Sequence, residues 1–172
     1  GSHSNYETNV SGGNDRAKYY ASLGYMNQEG ITLNSGLRRI SARVNTEFKA
    51  TNHFTFGLNT MFSDVKQDAF SEGTSYTSPF YSTVSKVTPS DPVYNEDGSW
   101  NRDFIGNGDR NPLLSMKYDS KKEYVTRFMN TLWGEYEFID NLKFKSTLSY
   151  DYQINKSRNW YDPRTSNGDN YN

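Results

Sequence analysis

The sequence predicts an all-β protein built as an antiparallel meander of about six long strands. Apolar and polar residues alternate in several segments, most regularly in RISARVNTEFKA, residues 39–50. Successive side chains of a strand point to opposite faces of the sheet, so this period of two is typical of a strand with one apolar and one charged face. Clusters of Gly, Asn and Asp between several of these segments predict tight turns.

Composition favours one ordered β-rich domain and excludes several classes of function. The chain has 172 residues, of which 33% are hydrophobic and 16% aromatic, whereas disordered chains are poor in aromatic residues. A net charge of -1 gives no electrostatic reason to bind nucleic acid. Cysteine is absent, which excludes disulfides and thiolate metal sites, and we expect no cofactor and no metal.

Both ends of the chain suggest an excised segment. The opening GSH, residues 1–3, looks like the scar of a cleaved affinity tag, so residues 4–172 are taken as the segment to interpret. The closing TSNGDNYN contains no strand or helix pattern. No run approaches the roughly 18 consecutive apolar residues that a membrane helix needs.

Six strands are predicted, with tight turns after the first, third and fifth and longer connections after the second and fourth. In the fourth strand, for example, Phe54, Phe56 and Leu58 are predicted to lie on one face, and Thr55 and Asn59 on the opposite face. The predicted strands cover residues 6–12, 17–27, 38–50, 54–64, 122–139 and 142–156, and the long loop covers 66–121.

Two environments suit such strands: a soluble β-sandwich with an apolar core, or a transmembrane β-barrel with its apolar face in lipid. Short turns on one rim and long loops on the other are typical of outer-membrane barrels, and the strands reach the roughly 9–11 residues that cross a bilayer. A sandwich also alternates, however, so periodicity alone favours the two readings equally.

Three stretches resemble the barrel of SusC/RagA-type TonB-dependent outer-membrane transporters. They are NVSGGNDRAKYYASLGYMNQEGI at residues 9–31, DPVYNEDGSW at 91–100 with NPLL at 111–114, and LKFKSTLSYDY at 142–152. Their order along the chain is that of the family. The resemblance therefore covers nearly the whole chain after the first three residues.

The resemblance implies a parent protein in the outer membrane of a Gram-negative bacterium. Such a parent imports oligosaccharides or peptides with energy from the TonB system, and a SusD-like lipoprotein covers its extracellular side. Plug and closing strand are not visible here, so we expect no transport by this fragment itself, which could self-associate through its open edges. The alternative function is that of a soluble β-sandwich, either glycan-binding or a cell-surface interaction domain.

The same resemblance assigns an environment to each face of the strands. One face would contact membrane lipid, and the other would line the lumen of the barrel. The lipid-facing set is Ile40, Val44, Phe48, Phe54, Phe56, Leu58, Leu148 and Tyr150; the lumen-facing set is Arg39, Arg43, Glu47, Arg127, Lys143 and Lys145.

The long loop is the best candidate for ligand binding, because it mixes aromatic side chains with Ser, Thr, Asn and Asp. Aromatic rings of this kind form stacking platforms for sugars or contacts with a partner. They could equally anchor the loop over the barrel mouth. The candidate ligand-binding residues are Tyr76, Phe80, Tyr81, Tyr94, Trp100 and Phe104.

Local motifs predict structure inside this loop. SPFYSTVSKV, residues 78–87, predicts a short helix with Ser78 as N-cap and Pro79 at the first helical position. YNEDGSW predicts a hairpin with Asp97 and Gly98 in a type I′ turn. A calcium site on Asn95, Glu96 and Asp97 is disfavoured, because the spacing does not match an EF-hand loop.

Charged residues and the histidines give no catalytic pattern. Three arginines lie at the charged positions of the alternating pattern and could form a cationic patch: Arg39, Arg43 and Arg127. The favoured alternative is that they form salt bridges with glutamates on neighbouring strands, namely Glu47, Glu135 and Glu137. His53 lies in a predicted turn without a nucleophile or carboxylate at a recognisable spacing. We therefore expect that the chain is not an enzyme.

Overall fold

The fold is one antiparallel sheet with a small helical cap at one end. A computed structural model describes residues 1–70, 78–102, 104, 111–165 and 167–168. The six strands pair in chain order, which confirms the predicted all-β meander. The elements are β1 (His3–Gly13), β2 (Ala17–Glu29), β3 (Gly36–Lys49), β4 (Phe54–Ala69), α1 (Pro79–Ser85), α2 (Pro112–Tyr118), β5 (Ser120–Ile139) and β6 (Leu142–Trp160).

Three tight turns lie at one end of the sheet, which we call the short-turn end. Asn14 stabilises the first by accepting hydrogen bonds from the backbone N–H groups of Arg16 and Ala17, both at 2.9 Å. Thr51 accepts in the same way from His53 and Phe54 in the second. In the third, Asn141 adopts a left-handed conformation with φ 67°, which asparagine tolerates better than most residues.

Several strands are longer at the opposite end, the loop end, than the alternation predicts. β4 continues to Ala69 because residues 65–69 pair with 121–125 of β5, and β6 continues to Trp160 opposite Ser120. Both faces are polar in much of this region, so the alternation weakens while the backbone ladder continues. β1 begins at His3, three residues earlier than predicted, so it includes the last residue of the GSH stretch that was interpreted as a tag scar.

Residues that pair directly across antiparallel strands lie on the same face of the sheet. Ile40 pairs with Tyr25, and Phe48 pairs with Phe56, which places the apolar parity of each strand together. Arg43 pairs with Ser22 and belongs to the other face. We call the face that carries Ile40 and Phe48 the apolar face, and the face that carries Arg43 the polar face.

The described residues bury very little apolar surface on the sheet itself. Their buried large hydrophobic side chains, Phe104 (2% exposed) and Leu114 (4%), both belong to the loop-end cap. On the apolar face, by contrast, Leu148 is 71% exposed and Phe144 is 62% exposed. All six strands form one sheet, so the sandwich alternative, which needs two sheets packed face to face, is wrong.

Candidate functional site

The described residues between β4 and β5 form a cap over the loop end of the sheet. Its helix α1 begins as predicted: Ser78 is the N-cap, its hydroxyl accepts from the backbone N–H of Tyr81 at 3.4 Å, and Pro79 follows it. Ser78 is buried, which makes the satisfied hydroxyl part of the cap interior. The predicted helix is therefore confirmed, although it ends at Ser85.

The hairpin in YNEDGSW is also confirmed, but its predicted turn type is wrong. Tyr94 pairs with Trp100, and Gly98 has a φ of +79°. Asp97 does not share that positive φ, which a type I′ turn requires at both central positions. The Asp97 carboxylate instead accepts from the backbone N–H and the hydroxyl of Ser99, and these hydrogen bonds lower the pKa of Asp97.

Asn111 is the hydrogen-bonding centre of the cap. Its side-chain Nδ2 donates to the carbonyls of Val93 (3.0 Å) and Asn101 (2.9 Å), and its Oδ1 accepts from the backbone N–H groups of Leu113 and Leu114 at the start of α2. The residue is 2% exposed, and its bonds to the Asn101 carbonyl and the Leu114 N–H are fully buried. Asn111 thereby joins the hairpin to α2.

Three aromatic rings and two cations meet on the surface of this cap, and we call them the aromatic cluster. Tyr94 and Trp100 have ring centroids 4.6 Å apart, and Trp100 meets Tyr118 edge-on at 6.2 Å. Lys117 Nζ lies 5.2 Å from the centroid of the Trp100 ring, and the Arg164 guanidinium lies 3.9 Å from that of Tyr118. The rings form a platform with positive charge beside it.

Arg164 is held in place by Asp162. The guanidinium donates to both carboxylate oxygens, at 2.7 and 2.8 Å, and the Arg164 backbone N–H donates as well. These hydrogen bonds, with the side-chain bond the largest cause, lower the pKa of Asp162 to about 2. The pair therefore stays charged over the ordinary pH range and keeps a cation beside Tyr118.

Of the six loop residues predicted to bind ligand, the structure brings Tyr94 and Trp100 together. Phe104 is 2% exposed, so its ring offers little surface to a ligand in this structure. Phe80 packs against Phe70 at 5.0 Å, and Tyr81 is half-buried in α1, both outside the aromatic cluster. Tyr76 lies outside the described residues.

The sequence analysis missed Lys117, Tyr118 and Arg164 in this cluster. Lys117 and Tyr118 end α2 directly before β5, and this position next to the NPL motif is a signal that could have found them. Arg164 follows β6 and is far from the others in sequence, so only the fold brings it to Tyr118.

Between the C-terminal end of α2 and the loop end of the sheet lies a cleft of about 400 Å³. Its lining includes Arg38, Asp68, Lys117 and Lys122. In the described part of the chain, Oδ1 of Asp68 is buried and has no hydrogen-bond partner. Such an oxygen can accept a hydrogen bond from a ligand hydroxyl or amine.

The six predicted lumen-facing residues all lie on the polar face, but their partners differ from those expected. Glu47 pairs with Lys18 at 3.1 Å, not with an arginine. Arg127 forms a two-pronged pair with Asp151 on β6. Glu135 and Glu137 pair with Lys143, at 3.2 and 4.0 Å. The predicted arginine–glutamate bridges are therefore wrong, because the cross-strand register offers nearer partners.

Arg39, Arg43 and Lys145 complete this set on the polar face. Lys145 Nζ lies 4.5 Å from the centroid of the Trp133 ring. Among the described residues, no carboxylate lies within ion-pair distance of Arg39 or Arg43. These two arginines leave positive charge available on the polar face.

The eight residues predicted to face lipid all lie on the apolar face, and each is exposed. Aromatic rings concentrate near the short-turn end, where Phe54 stacks on Phe56 at 5.9 Å and contacts Tyr136 at 6.4 Å. From Phe144 to Ile154 the apolar stripe of β6 would span about 25 Å if the strand were tilted by about 40°, which is the height of an outer-membrane apolar band.

Two further features of the described residues concern membrane helices and metal sites. None of the helices there is long and apolar enough to pass through a membrane. His, Asp and Glu side chains in that part of the chain form no group of three or more that could hold a metal ion.

Comparison with known proteins identifies similar chains. Three TonB-dependent receptors of Formosa agariphila match: one is 26% identical over 165 residues, which are 95% of this chain and 16% of the receptor. A second is 31% identical over 156 residues, 87% of this chain and 15% of the receptor, and a third is 25% identical over 160 residues, 93% and 15%. No protein-family model matches the chain.

These matches cover nearly all of this chain but only 15 to 16% of each relative. A single open sheet, apolar on one face and ion-paired on the other, is what a stretch of barrel wall requires. The similarity in sequence and the two-faced arrangement of the sheet are therefore consistent with each other. The chain is thus similar, over most of its length, to one segment of TonB-dependent receptors.

Proposed function

We propose that this chain is a stretch of the barrel wall of a TonB-dependent importer in the outer membrane of a Gram-negative bacterium. The observation that carries the proposal is the two-faced sheet: an exposed apolar face without a covering layer in the described residues, and an ion-paired polar face behind it. Lipid would cover the first face and water would fill the space along the second.

In this proposal the short-turn end faces the periplasm and the loop end faces the cell exterior, as in barrels of this kind. Ile40, Val44 and Leu148 contact lipid, and Arg39 and Arg43 line the lumen. The importer class is SusC/RagA-like, with a SusD-like lipoprotein over the extracellular side and the TonB system as energy source. Transport requires the complete parent protein.

The proposed cargo is an oligosaccharide or peptide, which meets the aromatic cluster on its way to the lumen. Support comes from the neighbouring rings of Tyr94 and Trp100, which are tilted by 43° to each other, since exposed aromatic rings bind the flat faces of sugar rings or aromatic side chains. Lys117 beside the platform adds a hydrogen-bond donor. No catalytic step is assigned.

Light scattering tests the proposal. We expect the chain to be oligomeric or aggregated in plain buffer, because its apolar face and two sheet edges invite association, and to become one defined detergent-bound species in a mild detergent. A monomer whose mass does not change with detergent would contradict the proposal. Such a monomer would need a cover for the apolar face from within the chain.

A further inference from the structure

A group of basic side chains lies on the apolar face at the loop end, and we call it the basic margin. It occupies two adjacent cross-strand rows. In the first, Arg38 pairs with Lys66, Lys66 with Tyr124, and Tyr124 with Lys156. In the second, Lys122 pairs with Arg158. The basic margin therefore consists of Arg38, Lys66, Lys122, Lys156 and Arg158.

These cations are not neutralised within the described residues. Like charges directly opposite each other, as in Arg38 with Lys66 and Lys122 with Arg158, destabilise a sheet. In the described residues, every ion pair between strand residues lies on the polar face, and none includes a member of the basic margin. An opposite charge from outside the chain would remove this repulsion.

Carboxylates at the same level offset the charge only in part. Asp68 pairs in register with Lys122 but lies beyond ion-pair distance, and Glu29 accepts from the backbone N–H of Ser2. Asp64, one row closer to the short-turn end, accepts from the hydroxyl of Thr126 at 2.6 Å. Five cations thus face three carboxylates, which leaves an excess of two positive charges at this level.

The basic margin borders the apolar band directly. The row below it contains Tyr6, Tyr25, Ile40 and Ile154, which are apolar or aromatic, together with the hydrogen-bonded pair of Asp64 and Thr126. At the short-turn end the apolar face contains no Lys or Arg among the described strand residues, and its rim is formed by aromatic rings such as Phe54. Positive charge therefore marks one rim of the band and not the other.

We propose that the basic margin binds the phosphate groups of an anionic membrane lipid in the leaflet at the loop end. Lys and Arg form charge-assisted hydrogen bonds with phosphate, and basic residues next to a membrane add affinity for anionic headgroups. The cleft beneath α2, lined by Arg38, Lys117 and Lys122, gives a headgroup room at this level. Asp119, also in its lining, is occupied by Thr165 and Asn167.

This inference rests on the proposed function, since it requires the apolar face to lie in lipid. Overall attraction cannot produce the same effect, because the net charge of the chain is -1. The binding must come from the local arrangement. Removing charge from the basic margin should therefore weaken binding to anionic lipid, whereas removing the same charge from the polar face should not.

Flotation with vesicles in a density gradient tests the inference, because chain that is aggregated without lipid does not rise with the vesicles. The whole chain is mixed with vesicles of phosphatidylcholine alone, or of phosphatidylcholine containing phosphatidic acid. We expect the wild type to bind both, with an affinity for the anionic vesicles more than about tenfold higher. The double variant K66Q/K122Q should lose most of that preference and bind phosphatidylcholine unchanged. Inorganic phosphate at matched ionic strength should compete only weakly.

The control variant is R39Q/R43Q, which removes two charges from the polar face and should keep the preference. Equal binding of the wild type to both vesicles, or equal loss in both double variants, would overturn the lipid site and leave the barrel proposal standing. Absence of binding to either vesicle would overturn both. Circular dichroism checks that K66Q/K122Q is folded, and its thermal midpoint should not fall, because like-charge repulsion is removed.

Discussion

Trp100 is the central side chain of the aromatic cluster, since it touches Tyr94, Tyr118 and Lys117. If the cluster binds cargo, Trp100→Ala should remove the largest stacking surface and weaken binding about tenfold. Affinity electrophoresis against a set of soluble polysaccharides measures this, with Trp160→Ala as a control for the loss of an exposed indole outside the cluster. Equal retardation of the wild type and Trp100→Ala would contradict the role.

Asn111 is predicted to determine the stability of the cap. Asn111→Ala removes the N-cap of α2 and takes one hydrogen-bond donor from each of the carbonyls of Val93 and Asn101, so local opening should become easier by about 2–3 kcal/mol. Hydrogen exchange of the Leu113 and Leu114 amides measures that free energy. In the control Asn59→Ala, which alters an exposed asparagine of β4, protection of the same amides should not change. Unaltered exchange in Asn111→Ala would refute this role.

At the scale of the strand, two glycines on neighbouring strands differ in the space beside them. A Cβ at Gly57 would lie 2.6 Å from the backbone oxygen of Thr46 and 2.6 Å from the Trp133 ring, because Gly57 pairs directly with Trp133. A Cβ at Gly134 would meet Phe54 at 3.5 Å, an ordinary contact. The two positions therefore form a matched pair for a packing test.

Gly57→Ala should lower the free energy of unfolding by about 1–3 kcal/mol, because the neighbouring backbone cannot move aside without cost. Gly134→Ala should leave it unchanged or raise it slightly, since alanine restricts the unfolded chain. Thermal unfolding in detergent compares the two midpoints. Equal midpoints would show that the indole of Trp133 does not pack over β4.

Two further elements show how the pattern of residues becomes structure. The period of two in residues 39–50 predicts one face for Ile40 and the other for Arg43, and the pairing places them so. Ser78 before Pro79 predicts the start of α1, because capping depends on neighbouring residues alone. The predicted type of the turn at Asp97 is wrong: the Asp97 carboxylate accepts from the backbone N–H and hydroxyl of Ser99, and Asp97 does not adopt the positive φ that a type I′ turn requires.

At the scale of the whole molecule, the sheet is open. β1 and β6 each pair with one neighbour, so two edges with unpaired backbone groups remain in the described structure. In the parent barrel these edges would continue into further strands. The open edges and the exposed apolar face together explain why we expect self-association of the isolated chain in buffer.

Leu148 and Ser149 test the assignment of the two faces, because they are adjacent in β6 and point to opposite sides. Leu148→Lys places a charge in the apolar band and should weaken partition into phosphatidylcholine vesicles by about 2–4 kcal/mol, the cost near the bilayer midplane. Ser149→Lys adds the same charge on the polar face and should have little effect. Equal losses in both variants would mean that lipid does not distinguish the faces.

The sequence by itself determined the strands, the tight turns and the two faces, because each follows from alternation and from residues close in the chain. The tertiary structure alone decided the partners: Lys18 with Glu47, Arg127 with Asp151, and Arg164 with Tyr118. Such contacts depend on strand register, where a shift of one residue exchanges the faces, and on segments far apart in sequence. Periodicity assigns each side chain to a face but does not say which residue lies opposite it, which is why the basic margin emerged only once the strands were paired.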